Sequence, residues 1–134
     1  MFVKTIETYH VLCIPYEKSI DSIDKKWMDY ANQYEGNIKG RIGLNFPYPY
    51  QPYQPYHYVI IYPKNDYATY RHEWCHALYY LCPSYRKKYE KEWNQLPQKE
   101  REKIISFMKK IGYPEDKWID EYQAYQQTEK RKRW

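Results

Sequence analysis

The sequence predicts an α+β domain, and three observations carry that expectation. Residues 8–14 and 58–62 are runs of β-branched and aromatic residues that read as strands. Several longer stretches carry apolar residues at three-to-four spacing, the period of an amphipathic helix. No apolar run approaches the roughly 18 residues that a transmembrane helix needs. At 134 residues the chain makes one domain, residues 1–134, around one modest core.

Taken in order, Thr8 to Ile14 is the first expected strand. Residues 19–35 follow as a helix capped by Ser19, with Ile20, Ile23, Trp27, Tyr30, Ala31 and Tyr34 on its apolar face and Gly36 as its stop. Residues 38–44 alternate weakly and form a candidate strand. Residues 46–56 then hold four prolines, Pro47, Pro49, Pro52 and Pro55, which rule out a helix or a central strand. A Pro/Tyr-rich, polyproline-like loop is expected at 46–56. Residues 58–62 carry the strongest strand signal, ending at Pro63.

The next helix is bracketed by two possible N-caps, Asp66 and Thr69, and by Pro83, which cannot continue it. Residues 84–95 read as a polar, exposed helix rich in Lys and Glu. Residues 98–111 read as a helix with Ile104, Ile105, Phe107, Met108 and Ile111 on one face, closed by Gly112. Pro114 opens a last helix, to about Thr128, with Glu115 and Asp116 favourable to its dipole. A basic tail, residues 129–134, reads as a solvated end.

His72-Glu73-Trp74-Cys75-His76 lies within the helix after Asp66. It is H-E-x-x-H, and with 4 histidines in 134 residues its chance occurrence is on the order of one in a hundred. Residues four apart share a helix face, so His72 and His76 can reach one zinc ion. Glu73 is rotated by roughly 100°, placed to serve as a general base rather than a ligand. A catalytic zinc with an open position needs a third protein ligand. No histidine follows the motif, so a carboxylate is expected, from Glu90, Glu92, Glu100, Glu102, Glu115, Asp116, Asp120, Glu121 or Glu129.

Glu121 is favoured because it shares a face with Trp118, Tyr122 and Tyr125, where a buried carboxylate needs a partner or a metal. Ala124, one turn on, permits close approach to the motif helix. Asp120 is the nearest rival. A structural site closed by Cys75 or Cys82 is disfavoured, since Cys75 points away from the His72/His76 face.

H-E-x-x-H followed by a helix bearing Glu121-x-x-Ala124 resembles the gluzincin zinc metallopeptidases, most closely the minigluzincins, over roughly residues 57–128. That resemblance implies a small zincin-like domain, with a short sheet packed on the motif helix and a C-terminal glutamate helix. It implies that zinc is bound by His72, His76 and Glu121, that Glu73 is the general base, and that a peptide or protein is the substrate. It also implies that the free edge of the strand before the motif helix pairs with an extended substrate. The expected oxyanion donor is Tyr125, one turn beyond Glu121. A latent form, with the Pro/Tyr loop or a terminus in the cleft, is also foreseen.

Composition narrows the alternatives. Three cysteines, with Cys75 and Cys82 about 10 Å apart along one helix, argue against a disulfide framework. No apolar leader precedes Thr8, so a cytoplasmic location without membrane insertion is expected. The 19 tyrosines on a chain of net charge +5 invite thoughts of base stacking, but they spread over every element and no nucleic-acid motif accompanies them. The competing reading is a non-catalytic zinc-containing interaction module that binds through the Pro/Tyr loop and the basic tail.

Overall fold

A computed structural model describes residues 1–35, 41–49, 56–129 and 132–134. Four strands, β1 (Phe2–Ile6), β2 (Tyr9–Tyr16), β3 (Leu44–Pro47) and β4 (Tyr58–Pro63), form one mixed sheet. Its order is β1-β2-β4-β3, with β2 and β4 parallel and the two outer pairings antiparallel. Five helices accompany it: α1 (Lys25–Glu35), α2 (Tyr67–Leu81), α3 (Pro83–Gln95), α4 (Gln98–Ile111) and α5 (Trp118–Thr128). The α+β expectation is met. Among the described residues no helix is long and apolar enough to cross a membrane.

The sheet lies between two helical layers because its strands are apolar on both faces. In β4, Val59 and Ile61 join Leu12, Ile14, Leu44 and Phe46 against Trp27 and Ala31 of α1. The alternate residues Tyr58, Ile60 and Tyr62 turn to the opposite face, with Val11 and Cys13, and meet Ala77 and Leu81 of α2. A third core cluster of Tyr89, Trp93, Ile104, Met108 and Tyr122 ties α3, α4 and α5 together. The three cysteines are buried and free.

Several elements differ from expectation. Strand β1 is not among the expected strands: Phe2, Val3, Thr5 and Ile6 are strand formers, but four of its five residues are exposed and no burial alternation marks it. The 19–35 helix begins as a 3-10 turn at Ile20–Ser22, and Ser19 makes no side-chain cap. Asp24 starts α1 instead, its carboxylate accepting from the Lys26 N–H at 3.0 Å. The candidate strand at 38–44 is displaced to Leu44–Pro47, so Phe46 and Pro47 belong to the sheet rather than to the loop. Pro47 is tolerated because β3 is an edge strand, where a missing N–H costs no ladder bond. Tyr48 is also buried, in the α1-side core. Gly36, residues 38–40, residues 50–55 of the Pro/Tyr loop, and Lys130 and Arg131 lie outside the described residues.

Strand β4 is flanked by β2 and β3, so the free edge expected there belongs to β3. Helix α3 is not simply exposed: Tyr89 and Trp93 are core residues. Pro114 precedes a 3-10 turn, Glu115–Lys117, and α5 proper begins at Trp118. The tail is not wholly solvated. The Trp134 ring lies 6.0 Å from Phe107 and 5.9 Å from Tyr122, and its indole N–H donates to Glu100 at 3.2 Å.

Candidate metal centre and cleft

Helix α2 is a rigid platform for the motif. Asp66 caps it, accepting from the Thr69 N–H at 3.0 Å, and Thr69 is the partner of the cap rather than a rival. Pro83 ends it by starting α3. His72 and His76 project from one face, with ring centroids 5.0 Å apart. Helix α5 packs across this face, with Ala124 fully buried. Its buried run Asp120 to Ala124 is wider than the single stripe expected. Tyr122 turns into the helical core, while Glu121 turns to the histidines.

Glu121 meets both imidazoles, its carboxylate oxygens lying 3.5 Å from His72 Nε2 and 3.2 Å from His76 Nε2. One ligand atom from each of the three residues falls within 4.8 Å of the others, the only such group of His, Cys, Asp and Glu among the described residues. Glu121 Oε1 is buried and accepts no hydrogen bond. An orphaned carboxylate oxygen beside two imidazole nitrogens suits a cation. The residues present therefore fit a metal ion with two nitrogen donors and one oxygen donor.

The far nitrogens are also engaged. His76 Nδ1 lies 2.8 Å from Asp120 Oδ1, and Gln123 Nε2 donates to the same oxygen at 3.0 Å. Gln123 is itself held by the Cys75 carbonyl at 3.0 Å and by the Tyr85 hydroxyl at 2.7 Å. His72 Nδ1 lies 3.3 Å from Thr128 Oγ1, whose proton is already given to the Ala124 carbonyl at 2.6 Å. The Thr128 hydroxyl must therefore accept from His72 Nδ1–H. Both rings are left with Nε2 turned to Glu121, the tautomer that a metal ligand requires. Asp120, the rival ligand, acts on the opposite side of His76.

Burial opposes charge on His76, but Asp120 and Glu121 outweigh it and raise its pKa well above the usual histidine value. Burial likewise works against the Glu121 carboxylate, yet His76 and His72 hold it well below the usual range. Without metal, a proton thus occupies the place that a cation would take.

Glu73 is buried beside this group. Its Oε2 accepts from Asn45 Nδ2 at 2.8 Å, and burial raises its pKa. Asn45, on β3, donates through the same nitrogen to Glu35 at 3.0 Å and accepts from the Tyr58 hydroxyl, which fixes the orientation of its amide. On the other side of Glu73 lies Gly43, where an added Cβ would fall 2.5 Å from Glu73 Oε1 and 2.7 Å from Thr69 Cγ2. A glycine there gives close backbone approach, not an unusual φ.

The cleft that opens over these groups is bordered by Arg41, Tyr113, Tyr125 and Arg133. The Tyr125 ring stands edge-on to His72, centroids 5.0 Å apart, and its hydroxyl lies 3.3 Å from that of Tyr113. The Arg41 guanidinium lies over the Tyr113 ring at 5.0 Å. Asn45, Gly43, Glu35, Arg41 and Tyr113 carry no local sequence signal. Asp120 and Gln123 are legible only as an acid and an amide on the same helix as Glu121. Comparison with protein-family models, curated proteins and solved structures found no match.

Proposed function

We infer that this chain is a zinc-dependent metallopeptidase with a gluzincin-type, zincin-like site. The observation that carries the reading is the meeting of Glu121 with the Nε2 atoms of His72 and His76, while Asp120 holds the far side of His76. Two imidazoles and one carboxylate are a donor set that zinc takes in hydrolytic sites with an open position. His72, His76 and Glu121 would hold the ion, and when bound it supplies an acidified water and polarises a peptide carbonyl.

The remaining work falls to the chain itself. Glu73 Oε2 is fixed by Asn45, leaving Oε1 beside Gly43 to take the proton of the attacking water and return it to the leaving amine. Burial raises Glu73 and so makes it a stronger base. The Tyr113–Tyr125 pair shares one proton across its 3.3 Å contact, which leaves the second free to donate to a developing oxyanion. Burial raises the Tyr125 hydroxyl, keeping it protonated. The interaction-module reading draws no support from the described residues, since most of the Pro/Tyr loop lies outside them.

The test pairs elemental analysis with peptide hydrolysis. Metal-replete protein should carry about one zinc ion per chain, lost or weakened in Glu121→Ala. Glu73→Gln should keep the zinc and abolish hydrolysis. Wild-type protein without zinc, or Glu73→Gln as active as wild type, overturns the reading.

A further inference from the structure

Two cations border the metal-side groups while resting on aromatic rings. Arg41 stands in the link between α1 and β3, where the Tyr16 hydroxyl donates to the Ile42 carbonyl at 2.5 Å and pins the backbone. Its guanidinium lies 5.0 Å from the Tyr113 ring centroid. Its ion-pair partner is Glu35, whose Oε2 lies 3.4 Å away and accepts no hydrogen bond. Lys117 ends the 3-10 turn before α5. Its Nζ lies 3.8 Å from the Tyr34 ring centroid and forms no ion pair among the described residues. A ring face holds a cation in place without cancelling its charge. Arg41 and Lys117 line one cavity of about 20 Å³, together with Tyr113, His76, Asp120 and Glu121.

We propose that Arg41 and Lys117 form a carboxylate-binding subsite beside His76 and Glu121, so that the substrates of the proposed peptidase are peptides with a free carboxylate close to the bond to be cut. Charge is the first argument. Glu121 is engaged by His72 and His76, and Asp120 by His76 and Gln123. Burial, with Glu73 close by, pushes Glu35 up to about 8, so near neutral pH it is chiefly an uncharged acid and leaves Arg41 without a full counter-charge. The acids of the cavity are thus already partnered or neutral, and two cations remain. Size is the second argument. A space of about 20 Å³ has room for one oxygen-sized group, which a carboxylate supplies, and is too small for a phosphate. Position is the third. Arg41, Tyr113, His76 and Glu121 line both this cavity and the cleft, so an anion entering from the cleft lies next to the candidate ligands. A guanidinium adds donors whose fork matches a carboxylate.

The proposal rests on the peptidase reading only for the cleavage that follows binding. Binding is accordingly read without metal, on full-length ¹⁵N-labelled protein kept in chelator near neutral pH. Three probes are titrated: acetyl-trialanine with a free C-terminus, its C-terminal amide, and acetyl-Ala-Glu-Ala amide. The free acid should bind about tenfold more tightly than its amide, with the Arg41 Nε–H signal shifting in step. Arg41→Gln should erase that preference and Arg41→Lys should keep part of it. Preference for the glutamate peptide instead of the free acid would keep the subsite and assign it to an acidic side chain. Equal binding of all three probes, or an unmoved Arg41 signal, overturns the proposal. Should Arg41→Gln fail to fold, Lys117→Gln, on a turn outside the core, should weaken the preference several-fold, and an undiminished preference there is equally decisive. Protein that prefers the acid in chelator yet cleaves nothing when zinc-loaded would refute the peptidase reading and leave the subsite standing. Cleavage by zinc-loaded protein that shows no preference in chelator would do the reverse.

Discussion

Replacing Asp120 with asparagine isolates what the carboxylate behind His76 would contribute to the proposed metal binding. The substitution keeps the shape and an oxygen that can accept from His76 Nδ1 across the present 2.8 Å, while Gln123 can still hold that oxygen. What is lost is the charge. A hydrogen bond to an ionised group contributes about 1.5–3 kcal/mol and a neutral one about 1 kcal/mol, so zinc affinity should fall by about 0.5–2 kcal/mol, roughly two- to thirtyfold. Losses of about 10- to 100-fold are usual when such a partner is removed.

The loss should also depend on pH. Zinc needs neutral His76, whose pKa in the metal-free protein is raised by Asp120 and Glu121 against the effect of burial. Below that raised pKa a proton competes with the metal, and wild-type affinity climbs about tenfold per pH unit. An uncharged amide behind His76 supports the proton less, so Asp120→Asn escapes this competition at lower pH. The gap between the two proteins should therefore widen as pH rises, and level off once wild-type His76 is neutral. Competition with a chromophoric chelator at about pH 6 and about pH 8.5 reads both effects. Equal affinities at both, or a gap that narrows with pH, would refute the reasoning. Metal loss as complete as in Glu121→Ala would make Asp120 a ligand.

Gly43→Ala should cost about 1–3 kcal/mol of stability, because its Cβ would meet a Glu73 carboxylate that Asn45 prevents from yielding. It should leave zinc content unchanged and lower hydrolysis by about 100-fold or more; full activity with zinc bound would contradict the account of Glu73. Glu35→Gln tests the buried acid. With its folded pKa raised to about 8 from 4.5, wild-type Glu35 binds more protons folded than unfolded, so its stabilising effect is present at low pH and lost as pH rises through that window. Glu35→Gln should thus gain on wild type, by on the order of a few kcal/mol, between about pH 5 and about pH 9 in urea unfolding. Parallel pH curves for the two proteins would show that the acid is not so placed.

Local rules read the helical half well. The Asp66 cap, the Pro83 stop, the αL Gly112 and the lone acid of the Trp118–Tyr125 stripe all signal within a few residues of themselves, and α2, α4 and Glu121 stand where those signals put them. Local rules fail where pairing decides. Pro47 looks like a strand breaker until β3 is known to be an edge, and 46–56 then reads as all loop. Glu35 looks like an ordinary helix-end acid, and Asn45 like a turn residue. Asn45 bonds both Glu35, 10 positions before it, and Glu73, 28 after it, and so joins α1, β3 and α2; no local pattern encodes such a meeting. Asp120 reads as an acid near the site, but its side of His76 depends on how α5 crosses α2.

The site draws on two kinds of scaffold. The three proposed ligands and their supports sit on α2 and α5, whereas the grip on Glu73 comes from Asn45 and Gly43 at the rim of the sheet. In the proposed metallopeptidase, metal loading and turnover would therefore fail separately. Unzipping β3 from β4 would leave the helical clamp intact, giving a chain that takes up metal normally and cuts nothing. Mutations that drift into the sheet rim would silence the chemistry first, while the clamp survives as an intact relic.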